Sequence, residues 1–169
     1  MSMPYHPPQR TCTARILTPA GWVEGTIHLP IKAALLDHLE HTREFISMTE
    51  VRHAVSFEVV PFFALRRAAA MFVVPDEAEA RGAADHHDAR PTREHTLDCL
   101  LPGGHITGVI EVPMRMRVSD QLMHGAPLLV VKKAHARMRD PWRGEMVDLR
   151  ADVMFVNTQH VVGVSEVEP

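Results

Sequence analysis

Histidine dominates the reactive inventory of this chain, with twelve among 169 residues. Two groupings have a metal-like composition: Asp85-His86-His87-Asp88, and Asp37-His38-Leu39-Glu40-His41, where His38 and His41 share one face if the segment is helical. A zinc site needs its ligands held in a rigid tetrahedron, and the first cluster sits in a polar stretch with no evident frame, so no metal or other cofactor is expected. The two cysteines, Cys12 and Cys99, form no Cys-x-x-Cys pair. Cys12 is expected near a loose N-terminus and Cys99 in an apolar strand, neither an environment that activates a thiol. Gly-x-Ser-x-Gly, the Walker loop, Gly-x-Gly-x-x-Gly and His-Glu-x-x-His are all absent from the sequence, which points away from an enzyme. Phosphate-binding chemistry is concentrated in KKAHARMRDPWRG, where Lys132, Lys133, Arg137, Arg139 and Arg143 lie beside Trp142. A solvated strand face with a charged loop is the expected reading of that cluster.

These residues must be positioned by elements, and the elements come in two sets. With a shift of 83 and no gap over residues 13 to 54, ten identities align, among them Leu17 with Leu100, Gly21 with Gly104, Gly25 with Gly108, Pro30 with Pro113 and Asp37 with Asp120. A second block, FFALRRAAAMFVVP from Phe62 against VMFVNTQHVVGVSE from Val153, aligns at a shift of 91, so the second copy carries eight more residues. They fall within MRDPWRGEMVDLRAD, read as an extended loop or longer hairpin tip over residues 138–152. The copies span residues 11–75 and 94–169, and 76–93, rich in Ala, charge and His, reads as a linker. His38 becomes Gln121 in the second copy, so the helical His pair is not repeated.

Within each copy, alternating apolar residues flank Pro19-Ala20-Gly21 or Pro102-Gly103-Gly104, which is the grammar of a hairpin. Gly25 and Gly108 on the return strand leave room for a bend or a crossing backbone. A short helical turn follows, with Asp37 and Asp120 placed as N-caps. Three further strands complete the copy, the last two flanking Arg66-Arg67 or Asn157-Thr158. Five short, bent strands favour a small barrel, because closure removes exposed edges.

The formal charge of −3 advertises no polyanionic or polycationic partner, and 46% hydrophobic residues supply a core. No apolar run approaches the length of a membrane span, and the first ten residues lack a signal core, so a cytoplasmic protein without a membrane partner is expected.

The Gly-x-x-x-Gly return strand, the Pro that ends it, the following Asp-x-Leu and the terminal hairpin around Arg or Asn together resemble the Sm-like small β-barrel, and more narrowly uncharacterised bacterial Sm-like proteins. The resemblance covers both copies. It implies an all-β fold of two tandem five-stranded barrels, each with one helical turn. It also implies a homo-oligomer in which edge strands pair, sharpest as a trimer making a pseudo-hexameric ring. Ligand contacts would fall at Asp37, Arg66, Arg67, Asp120, Asn157 and Thr158, with Lys32 and Arg115 as equivalent basic positions. No aromatic stands at the Asp or hairpin positions to stack a base. A non-catalytic binding or scaffold module is therefore the leading expectation, with an RNA-binding Sm-like regulator as the alternative.

Overall fold

Each Pro-x-Gly turn folds the chain back on itself, and the rest of the architecture is built outward from those two hairpins. The computed structural model describes residues 8–42, 44–85 and 89–167, with the backbone alone for Phe57. The first copy runs β1 (Gln9–Thr18), β2 (Gly21–Pro30), α1 (Leu35–His41), β3 (Phe45–His53), β4 (Ser56–Arg66) and β5 (Phe72–Pro75). Then α2 (Glu77–Asp85) leads to the second copy: β6 (Thr92–Leu101), β7 (Gly104–Pro113), α3 (Val118–His124), β8 (Leu128–Arg139), β9 (Met146–Asn157) and β10 (Gly163–Glu166). The fold is all-β in class, with short helices. All ten strands form one antiparallel sheet in the order β10-β6-β7-β8-β9-β5-β1-β2-β3-β4.

At the hairpin turns Gly21 and Gly103 take φ of +105° and +89°, the left-handed conformation that favours glycine. The bend expected at Gly25 and Gly108 is a pair of β-bulges: the β2–β3 register slips between Glu24 and Thr26, and the β7–β8 register between Thr107 and Val109. The extra residues are Glu50 and Lys133, equivalent by the same shift of 83 and both at positive φ, +52° and +49°. A β-carbon on Gly108 would lie 2.4 Å from Val131 Cγ1 and 2.8 Å from Lys132 O. The opposite strand therefore crosses where only glycine fits.

Three expectations are corrected. Asp37 and Asp120 are not N-caps, because the helices start three residues earlier than that placement requires, with Ala34 and Arg117 as the N-caps. Asp120 is the third helical residue, and its carboxylate reaches back to accept the Arg117 backbone N–H at 3.3 Å. The 76–93 segment is not bare linker. Its α2 is anchored by Asp76, which accepts the Glu79 backbone N–H at 3.0 Å, by Ala80 in the first core, and by Glu79, which pairs with Arg10 and accepts the Leu35 N–H at 2.8 Å. Cys12 lies buried within β1 rather than near a loose end. The residue 138–152 excursion takes the hairpin form, since β8 and β9 pair from Leu128↔Asn157 out to Arg139↔Met146. Its tip carries Trp142 back to the first copy, where a β-carbon on Gly21 would sit 3.3 Å from Trp142 Cβ.

Two apolar cores flank the middle of the sheet. The first takes Cys12, Ile16, Ile27, Leu35, Leu39 and Met48 from the first copy, together with Leu128, Val153 and Phe155 from β8 and β9. The second takes Cys99, Ile106, Ile110 and Val131 from the second copy, together with Leu17, Met71 and Phe72 from the first. Alternation along β9 explains the exchange: Val153 and Phe155 point to one core, Met154 and Val156 to the other. Each copy thus completes the other's interior.

Candidate functional site

The seam between the copies is where the sequence-selected residues come closest together. β5 pairs with β9 through Phe72↔Val156 and Val73↔Phe155, and a short 3₁₀ turn stands at each side, Arg67–Ala69 and Thr158–His160. Asn157 is buried; its Nδ2 donates to Ala70 O at 2.9 Å and its Oδ1 accepts the Gln159 N–H at 3.1 Å. His160 Nε2 donates to Ala68 O at 2.6 Å, and Thr158 Oγ1 donates to Pro127 O at 3.1 Å. Arg67 Nη1 donates to Glu40 O at 3.2 Å. Arg67, Asn157 and Gln159 together line a cavity of about 10 Å³, room for one water at most. Asn157 is therefore a strut of the seam. Asn157→Ala should cost about 1–3 kcal/mol, the penalty of an unpaired buried carbonyl, whereas exposed Arg66→Ala should stay within about 0.5 kcal/mol by urea denaturation.

Beside the seam opens a larger cleft of about 610 Å³, with Leu36, Leu128, Leu129 and Val130 among its apolar walls. Its polar lining includes the largely buried pair Lys132–Glu111 at 2.7 Å, with Lys132 Nζ also donating to Ala84 O at 3.0 Å. Burial pushes the Glu40 carboxyl above its usual range, with Asp37 nearby adding to the effect. By sequence Lys132 belongs to the basic cluster and Glu40 to the Asp37–His41 grouping, whereas Glu111 stands in no candidate group. Alternation over VVKKAH does not separate the two lysines, since each follows a valine by two residues; the bulge at Lys133 is what leaves Lys132 in the cleft with Val130.

The other expected contacts are dispersed. Asp37 and Asp120 lie on different helices; Lys32 and Arg115 are exposed after β2 and β7; Arg66 is exposed at the end of β4, its guanidinium 5.2 Å from the Phe45 ring centroid. The basic cluster divides by strand alternation. His135 and Arg137 face Asp148 at 2.7 and 3.7 Å, Arg139 donates to Gly144 O at 2.8 Å, and Lys133 is the exposed bulge residue. The hydrogen bond from His135 holds the Asp148 carboxyl below its usual range.

Among the described residues no group of three His, Cys, Asp or Glu side chains converges as a metal site. His86, His87 and Asp88 of the Asp-His-His-Asp cluster lie outside the described residues. His41 Nδ1 is committed to Asp37 O at 2.7 Å, and burial lowers the His38 pKa. Burial also raises both thiols, Cys12 to about 12 and Cys99 to about 11. Neither thiol should alkylate with iodoacetamide at pH 8 while the chain is folded. Both should label on addition of denaturant, and rapid labelling of the native protein would contradict this assignment. Among the described residues no helix is long and apolar enough to cross a membrane.

No family model, curated protein or solved structure matches this chain.

Proposed function

We propose that this chain is a non-catalytic binding or scaffold module, built from two Sm-like barrels and working as a homo-oligomeric ring. One observation carries the reading: the sheet ends on β4 at one side and β10 at the other. In the repeat, β4 is the counterpart of β9 and β10 the counterpart of β5, the two strands already joined at the seam. The chain therefore presents, on opposite edges, a second pair of the strands that it has once paired internally. Unpaired edges are a liability unless covered, and head-to-tail pairing of unlike edges closes into a ring when the rotation per subunit allows. Three chains, giving six barrels, is the favoured ring. Because the two seam turns differ, Arg66-Arg67 against Asn157-Thr158, such a ring would carry two alternating kinds of surface.

The test is solution mass by light scattering, read with the absorbance ratio at 260 and 280 nm. A trimer free of nucleic acid is the expected result. The same assembly carrying nucleic acid would shift the reading to an RNA-binding Sm-like regulator. A monomer at every concentration would overturn the oligomeric reading.

A further inference from the structure

The residues that each copy sends into the other's core have counterparts, and those counterparts lie uncovered on the two free edges. From the second copy, Leu128 and Val153 enter the first core at 8% and 1% exposure. Their counterparts in the first copy are Phe45 and Phe62, 45% and 63% exposed beside the β4 edge. From the first copy, Leu17 and Met71 enter the second core at 0% and 2%. Their counterparts are Leu100 and Val162, 52% and 67% exposed beside the β10 edge. The receiving surface is open too. A groove of about 490 Å³ next to β10 is lined by Met114, which is exposed, and by Met116, Val118, Leu122 and Val164, which are half-buried against the second core. The first-copy counterparts of Val118 and Leu122 are Leu35 and Leu39, fully buried in the first core to which Val153 and Phe155 also belong. Among the described residues, the second copy has nothing playing the part that β9 and α2 play there.

Building on the oligomeric reading, the geometry points to a specific interface between copies of this chain. Phe62 and Phe45 of one molecule fill the Met114–Leu122–Val164 groove of the next, while Leu100 and Val162 of that next molecule pack back against the first. The strand register follows from the internal seam: Phe72↔Val156 and Val73↔Phe155 become Gly163↔Leu65 and Val164↔Ala64 between molecules. The side chains on the two edges compensate in size, since Val153 and Phe155 at the seam are replaced by Phe62 and Ala64. Arg66, resting on Phe45, would flank this contact. The interface lacks the reinforcement that α2 gives inside the chain, so assemblies should part between chains and leave folded monomers.

The deciding experiment uses Phe62→Asp and Leu100→Asp in the full chain, each disabling one edge and sparing the other. Each variant alone should lose the wild-type mass and run as a monomer with an unchanged urea midpoint. Mixed, the two should form a one-to-one dimer through the edge each retains, and go no further. Phe62→Leu should keep the wild-type mass. If one substitution prevents folding, the Ala64→Cys, Val164→Cys double variant provides an independent readout: oxidation should link neighbouring chains, and failure to link them would overturn the register. A wild-type assembly that survives both aspartates would overturn this interface and leave the oligomeric reading standing. A wild-type monomer would overturn both.

Discussion

Gly108→Ala is expected to lower the unfolding free energy by about 3 kcal/mol, at the upper end of what forcing extra volume into a packed interior costs. The added methyl would sit 2.4 Å from Val131 Cγ1 and 2.8 Å from the Lys132 carbonyl oxygen, with Ala134 Cα at 3.2 Å. Two of those three atoms belong to the backbone, so no rotamer change relieves them. At Gly25 the same change meets Val51 Cγ2 at 2.7 Å and Thr49 O at 3.1 Å, and Val51 can yield in part. Gly25→Ala should therefore cost less, about 1–2 kcal/mol. The measurement is the urea midpoint of each variant at constant slope. A loss below about 1 kcal/mol at Gly108 would mean that β8 shifts freely at its bulge.

Phe155→Ala is the larger effect, expected at about 4 kcal/mol, the usual cost of emptying a buried aromatic site. Phe155 belongs to the second copy by sequence and to the first core by packing. Its removal should lower one cooperative transition seen alike by tryptophan fluorescence and by backbone circular dichroism. Trp22 reports on the seam, because it meets Phe72 edge-on at 5.6 Å, and Phe72 pairs with Val156 next to Phe155. Two separated transitions would show that the copies fold independently and that the shared cores contribute little.

Much of the fold could be read from residues with strong local meaning. Pro19-Ala20-Gly21 and Pro102-Gly103-Gly104 demanded tight turns, and Gly25 and Gly108 marked the bends, because backbone sterics act over a few residues and leave a signature at the position itself. The helix starts differ from expectation by three residues because aspartate suits both the N-cap and the third helical position, and the preceding Leu35-Leu36 and Val118-Ser119 do not distinguish them. α2 was missed because its helical stretch is polar except for alanines. Its order comes from Arg10, more than 60 residues away, and from Ala80 against the first core.

The site divides in the same way. Asn157 and Arg67 were selected from the repeat and do meet at the seam, yet Asn157 is spent on Ala70 O and not on a ligand. Lys32, Arg115, Asp37 and Asp120 were equivalent in sequence and remain apart in space. Phe45 and Phe62 escaped notice because an apolar residue in a strand reads as core. Only exposure distinguishes them from Leu128 and Val153.

By itself the sequence determined that the protein is a duplication, that each copy is a bent antiparallel unit with a short helical turn, and where its turns and bends lie. These follow from periodicity and from glycine and proline, whose physics is local. Tertiary structure alone decided that β5 joins β9, that the copies exchange core residues, and which edges and apolar side chains are left over. Those outcomes depend on contacts between residues some 80 positions apart, where burial on one of two chemically similar strand faces separates an interior from an interface.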